Sequence, residues 1–555
     1  MKTWILPAVF LILLPAFCAA VESPARGDSC MVVSAHPDAT ELGVLVLRQG
    51  GNAVDAAVAV SFALAGCEPY SSGLGGGGFF VIFDAAQKEI KSLDARETAP
   101  ASAHRDMYLV DGKPDSDLSC NGPLAVGVPG LVAGLWQLHQ SSGRLPWADL
   151  VQVAARTVKT IEVSPMLHHR LSYKSQYFNE AARRVFLPEG YVPPVGATID
   201  QNDLFKTMQA IALNGPDAFY QGPVAEAMVS VTRSNMTLHD LATYQPRWRS
   251  AVHGRYRGLD VYSMAPPSSG GVHLVQMLNI LEPFNLQASG FGSAATVHLL
   301  TEAMKFAYAD RSRFLGDSDF VNVPVKRLTS AAHADSIRKL ISTETAYPER
   351  LIVGADLVDE ESLETTHFSI VDSEGNAVAA TLTINLTFGS CLMAPGTGVL
   401  MNNEMDDFVA APGTPNAFGL VGGEANRVQP GKRPLSSMTP TIVLQEGKVR
   451  MVTGAPGGSK IITTTLQTII NVVDHEMNAL QAVTAPRVHH QWYPRYLYFE
   501  EFGLSPDTRK QLENMGHKLK SRSSMCNAQI IVVDAVNGHI QGASDPRGMG
   551  LASGF

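Results

Sequence analysis

The chain has 555 residues, is 45% apolar and 17% charged, and carries a formal net charge of −9. That composition describes a globular protein long enough for a large core or for two domains. The acidic balance and the lack of basic clusters argue against nucleic acid or an anionic membrane surface as a partner.

The first twenty residues read as a targeting segment. Lys2 supplies a minimal positive region, Trp4 to Phe17 an apolar stretch too short for a comfortable bilayer span, and Cys18 and Ala20 the small residues before a cut ahead of Val21. This pattern of a cleavable signal peptide predicts a periplasmic or secreted protein. Phe17 argues against a lipid on Cys18, because that position wants a small residue. No later apolar run reaches the roughly 18 residues of a membrane span. Cleavage leaves Cys30, Cys67, Cys120, Cys391 and Cys526. Their scatter has no metal-ligand spacing and favours solitary thiols, with one disulfide left open.

Asn52 to Ala65, "NAVDAAVAVSFALA", has the small-apolar density of a buried helix. The glycines of Gly73 to Gly78 then lead into an apolar strand. They fit G-x-G-x-x-G formally but follow a helix and precede a strand, the reverse of the dinucleotide order, so they read as a tight turn against a site. Helical spacing recurs at Trp147 to Ile161, Gly271 to Leu281 and Ser293 to Phe314, joined by Pro/Gly-rich connections such as Ala265 to Gly271. After an acidic run, Asp356 to Glu364, strand signals dominate: Phe368 to Val371, Ala377 to Ile384, Pro440 to Leu444, Val449 to Val452 and Ile530 to Val533. Lys460 to Val473 is the one clear helix among them. A helix-rich first part and a strand-rich second, both needed to bury the sheets, predict one layered α+β domain.

The stretch "TTHFSIVDSEGNAVAATLTIN" reads as a hairpin. A three-residue loop, Ser373 to Gly375, puts glycine in the left-handed position and sets Thr365 opposite Thr383. A two-residue Glu374-Gly375 loop would instead pair Thr366 with Thr383. In the first register one face is apolar (Thr366, Phe368, Ile370, Val378, Ala380, Leu382, Ile384). The other is polar: Thr365, His367, Ser369, Thr381, Thr383 and Asn385. Threonine is a poor nucleophile without a base. A cut between Glu364 and Thr365 would supply one, since a free α-amine titrates near pH 7.7–8.0. On pattern alone, the favoured reading is that Thr365 merely begins an ordinary strand after a solvated loop.

The hairpin continues into "GTGVLMNNEMDDFVAAPGTPNAFGLVGGEANRVQPGKRPLSSMTPTIV" and "VTGAPGGSKIITTTLQTIINVV". Together with "SGLGGGGFFVIFD", "LDARETAP", "PPSSGG" and "APRVHHQW", these motifs resemble the γ-glutamyltranspeptidase family of N-terminal-nucleophile hydrolases over nearly the whole mature chain. The resemblance implies a four-layer αββα sandwich, one compact domain formed by two autoprocessed chains: residues 21–364 as large subunit and 365–555 as small subunit, after the 1–20 signal peptide. It implies a self-processing γ-glutamyltransferase and glutathione hydrolase whose donors are glutathione and other γ-glutamyl compounds. Water, amino acids or dipeptides would be the acceptors, and no cofactor or metal is implied.

By the same resemblance Thr365 matches the nucleophile and Thr383 its supporting hydroxyl. Arg96 matches the carboxylate clamp, where a planar fork suits the ligand, and Ser436 and Ser437 add hydroxyls. Glu404 and Asp407, three apart, point one way on a helical turn and with Asn385 meet the substrate ammonium. Gly457 and Gly458, between a strand and a helix, offer N–H groups to an oxyanion. "GAPGGSK" lacks the ending of a phosphate loop. His489 and His490 are adjacent, point apart on a strand and read as structural. "PGTPNAFGLVGGEANRVQPGKRP" resembles a lid, with Phe418 where a tyrosine is common. Two other readings are a related glutaryl-type (cephalosporin) acylase and a non-catalytic secreted protein that binds γ-glutamyl peptides.

Overall fold

The computed structural model describes residues 23–352, 365–410, 416–417, 420, 422–534 and 537–555. Seven strands of the two main sheets precede position 364: β1 (Ala25–Gly27), β2 (Met31–Ser34), β3 (Gly77–Asp84), β4 (Glu89–Ala95), β5 (Arg247–Arg249), β6 (Val252–Tyr256) and β7 (Leu259–Ser263). Seven more that build the main sheets follow it: β8 (Thr366–Val371), β9 (Ala377–Thr383), β10 (Thr441–Gln445), β11 (Lys448–Gly454), β12 (Gln529–Val533), β13 (Ile540–Ser544) and β14 (Leu551–Gly554). They form two antiparallel sheets, ordered β1-β13-β12-β11-β10-β7-β6 and β14-β2-β8-β9-β3-β4-β5.

Inward side chains of the two sheets meet in an apolar layer. Met31, Val81, Phe83 and Ala379 come from one side, Ile442, Val452 and Ile531 from the other. Each sheet buries its outer face under helices. Over the sheet that holds β8 and β9 lie α1 (Pro37–Arg48) and α2 (Ala53–Cys67), with α3 (Trp147–Val158) packed on α2 and α4 (Asn202–Asn214) on α3. Over the other sheet lie α5 (Gly270–Leu281), α6 (Ala294–Phe314) and α7 (Lys460–Val473). The four layers run helix, sheet, sheet, helix, as the resemblance implies.

The expected split into a helix-rich first part and a strand-rich second does not hold for the sheets, because each part supplies strands to both. The strands missed before position 364 are short or mixed in polarity, such as β4, "EIKSLDA", exposed at its start and buried at its end. Only pairing with neighbours distant in sequence makes them strands.

Helix α2 is buried along its whole length, which explains an apolar pattern without a polar face. Asn52 and Asp55 close a capping box at its start, and the Asp372 carboxylate accepts the Ala53 N–H at 2.9 Å. That last bond ties the β8–β9 turn to the helix layer. In the turn itself Gly375 has φ +83°, and Asp372 N–H donates to Asn376 O at 3.0 Å. The loop is therefore the three-residue form, and the register runs Thr366 opposite Leu382 and His367 opposite Thr381. Extended by one residue, it sets Thr365 across from Thr383.

Candidate active site

Thr365 is 7% exposed and sits at the open end of β8, where the polar face of the hairpin emerges from between the sheets. Deeper along that face His367 packs against Gly454, where no side chain would fit, and burial pulls its proton affinity down to about 3. His367 is therefore a neutral core group. Thr383 ends β9, and its Oγ1 accepts the N–H of Asn385 at 2.8 Å. Asn385 holds a left-handed φ of +73°, and its amide donates to Asn403 O at 2.9 Å.

The glycine run packs directly beneath these residues. A Cβ on Gly76 would strike the carbonyl oxygen of Thr383, and one on Gly75 that of Leu400. Asn402 fastens the arrangement. Its amide donates to Gly75 O (2.7 Å) and Gly127 O (2.8 Å), and its Oδ1 accepts the N–H groups of Gly127 and Glu404. Glu404 to Asp407 then form one tight 3-10 turn.

One cavity opens beside Thr365, and its walls include Arg96, Thr383, Asn385, Glu404, Asp407, Ser436, Ser437 and Gly458. Residues spread over more than 360 positions are thus brought together. Gly457 lines a second cavity, which also opens on Thr365. Gly457 and Gly458 have φ values of +129° and +57°, and they stand just ahead of α7, whose positive dipole end faces the same place. Glu364 and Phe418, together with the acidic run before Thr365, lie outside the described residues.

The structure adds one relation that spacing does not reveal. Arg96, with a side chain 1% exposed, forms ion pairs with both Glu404 and Asp407, and its other donors reach Pro434 O and Leu435 O at 3.3 Å. The cation and the anions assigned to opposite ends of a ligand touch one another in this structure. Burial drives the proton affinity of Glu404 well above the ordinary carboxyl range and raises that of Asp407, with Arg96 opposing both. Glu404 Oε2 has no hydrogen-bond partner among the described residues, an acceptor available to a ligand.

The serine pair is held from behind. Ser436 Oγ accepts the Met438 N–H at 3.1 Å, and Ser437 Oγ accepts from Arg311 at 3.2 Å. Each hydroxyl therefore keeps its own hydrogen to donate. Sequence reading misses Arg311. It is buried near the end of α6 and also donates to Ser269 Oγ at 2.9 Å; burial lowers its proton affinity to about 10. A basic residue in the last turn of a helix looks like an ordinary capping charge, so nothing in its spacing signals the site.

His489 is hydrogen-bonded to Thr463 and Gln491 at 2.8 and 2.9 Å within the core. Two groups of metal-type side chains occur among the described residues, His36–Asp38–Cys67 and His298–Glu302–His517, and neither contributes a residue to the two cavities. In the second group Glu302 is already paired with Lys305 at 2.6 Å. The five described cysteines are all free thiols.

The profile described as Gamma-glutamyltranspeptidase matches residues 39–555. The glutathione hydrolase proenzyme of Escherichia coli (strain K12) is 47% identical over 541 residues, 96% of this chain and 93% of that one. The crystal structure of Helicobacter pylori gamma-glutamyltranspeptidase is 40% identical with a TM-score of 0.57, covering 58% of this chain and 94% of that one. Cephalosporin acylase from Bacillus halodurans shares the fold across 100% of this chain and 99% of its own, at a TM-score of 0.84 and 24% identity. On the extent of these matches, the chain belongs to the γ-glutamyltranspeptidase family.

Proposed function

We infer that this chain is a γ-glutamyltransferase and glutathione hydrolase that matures by cutting itself between Glu364 and Thr365. The observation that carries the reading is the cavity beside Thr365, in which a guanidinium, two carboxyls and two serine hydroxyls converge. An amino-acid head group presents an ammonium and a carboxylate together, and this set answers both. On entry the ligand carboxylate takes guanidinium donors from Glu404 and Asp407 and receives the Ser436 and Ser437 hydroxyls. The released acids take the ammonium. The exchange swaps one set of buried ion pairs for another, so no charge is left unpaired.

The side chain of such a ligand then brings its γ-carbonyl to Thr365. Oγ attacks the carbonyl carbon, the α-amine accepts the hydroxyl proton, and the N–H groups of Gly457 and Gly458 meet the developing oxyanion. Collapse breaks the C–N bond, the leaving amine takes the proton, and an ester on Thr365 remains. Water or an amine then releases the acyl group. Thr383, whose Oγ1 already accepts a backbone N–H, supports Oγ of Thr365 with its own hydrogen.

The mature enzyme in this reading is a heterodimer of residues 21–364 and 365–555. Residues 1–20 act as the signal peptide and direct it to the periplasm or the exterior. No helix among the described residues is long and apolar enough to cross a membrane.

The acylase reading meets an obstacle in the same cavity, since a glutaryl side chain lacks the α-amine and gives Glu404 and Asp407 nothing to bind. Rates on γ-glutamyl and glutaryl anilides decide between the two, and faster glutaryl cleavage overturns the reading. A single full-length band on a denaturing gel, with no cleavage before Thr365, would favour a binding protein instead.

A further inference from the structure

Thr365 stands between two cavities, and only one is used by the amino-acid head. The lining of the second includes Glu68, Tyr70 and Arg170 from the large-subunit part and Gly457, Asn527 and Arg547 from the small-subunit part. With an acyl group held in the first, the second is the space from which an incoming amine reaches the carbonyl carbon.

Glu68 follows the last turn of α2 and is 5% exposed. Its two carboxyl oxygens accept hydroxyl hydrogens from Thr366 at 2.6 Å and Tyr70 at 3.0 Å. Thr366 is the residue directly after Thr365, so the carboxyl is anchored to the strand that carries the nucleophile. Both donors are neutral, and among the described residues they use two of its four lone-pair sites. Burial raises its proton affinity above the ordinary carboxyl range, against the pull of these hydroxyls and of His36. A buried carboxyl that has hydrogen bonds but no ion pair among the described residues gains from a cationic ligand.

We propose that Glu68 recognises the acceptor: its carboxylate holds the ammonium of an amino acid or peptide in the second cavity and takes one proton from it. The proposal rests on the reading that Thr365 carries the acyl group. The acceptor arrives as R–NH3+ and passes one proton to Glu68. The nitrogen lone pair attacks the ester carbon, a C–N bond forms and the C–Oγ bond to Thr365 breaks. The surplus proton on nitrogen moves to Oγ through the Thr365 α-amine, and Glu68 returns its own proton to solvent.

Partitioning of one common intermediate tests this. Hydroxylamine is an uncharged nucleophile near neutral pH and needs no carboxylate to receive it, whereas glycylglycine is an ammonium. Both compete for the same acyl-enzyme formed from a γ-glutamyl anilide, so their product ratio cancels effects on folding, maturation or donor binding. In Glu68→Gln the ratio of glycylglycine product to hydroxamate falls about ten-fold or more, and Glu68→Asp restores part of it. An unchanged ratio overturns the role of Glu68. Should Glu68→Gln fail to mature, unmutated enzyme answers with two inhibitors of hydroxamate formation. N,N-dimethylglycylglycine, which keeps the cation, acts at about ten-fold lower concentration than glycolylglycine, which lacks it; equal potency overturns the proposal. Hydroxamate absent from unmutated enzyme sinks the acyl-threonine reading and this one with it, while hydroxamate with an unchanged ratio sinks this one alone.

Discussion

The sulfur of Cys526 fills the space that a Cβ on Gly457 would need. Gly457 also holds φ +129°, a backbone state that L side chains rarely adopt. Gly457→Ala therefore shifts the loop ahead of α7 and misplaces its N–H groups. We expect kcat on a γ-glutamyl anilide to fall by about 10²–10³, the usual cost of losing an oxyanion donor, with KM changed little. Adding Cys526→Ala removes the collision but not the backbone strain, so it recovers only part of the loss. Full activity in the single variant would remove the loop from the oxyanion role.

Thr365→Ala should remain one polypeptide and be inactive, because the same hydroxyl serves both the cut and the transfer. Thr365→Ser keeps a hydroxyl and should do both more slowly. A gel with amino-terminal sequencing of the small fragment checks this. If Thr365→Ala still matures, Thr366 becomes the first suspect.

Removing Arg96 strands two buried carboxyls. Arg96→Ala should destabilise the protein by about 3–5 kcal/mol, the cost of breaking a buried pair from one side. Adding Glu404→Gln should recover part of that stability in thermal melts while leaving the enzyme unable to bind its donor. No recovery would mean that the ion pairs contribute little to the fold.

Glu97 offers a pH test. It is fully buried, both of its carboxyl oxygens lack hydrogen-bond partners among the described residues, and burial raises its proton affinity to about 8 despite the neighbouring Arg96. The folded protein thus keeps a proton that the unfolded chain gives up near pH 4.5. Stability from this group is present below that pH and is lost as pH rises toward about 8. The melting temperature of unmutated protein, taken relative to Glu97→Gln, should fall across that window and level off above it. A flat difference would contradict the assignment.

Much of this arrangement is legible in the amino-acid order, and what is not has a physical reason. The hairpin register follows from one glycine and the alternation of polar and apolar residues. The choice between that register and the two-residue alternative rests on the turn's backbone, where Asp372 N–H meets Asn376 O. The contact between Arg96 and Glu404, 308 positions apart, lies beyond any local pattern. Spacing gives residue types fit for a ligand, not the fact that they pair with one another. Arg311 and Glu68 are hidden for a related reason. Each sits at a helix end, where charged residues are common, and only packing against a distant strand or serine gives it a role.

The strand order carries a last consequence. In one sheet β2 lies between β14 and β8, and in the other β13 pairs with β1 while β10 pairs with β7, so segments from either side of position 364 are interleaved. Phe555 O also receives the N–H groups of Asp28, Ser29 and Cys30, at 3.1, 2.8 and 3.1 Å, stitching the carboxyl end to the opposite segment. A break before Thr365 therefore releases nothing. An affinity handle on either product would retrieve both, and prising them apart would amount to denaturation.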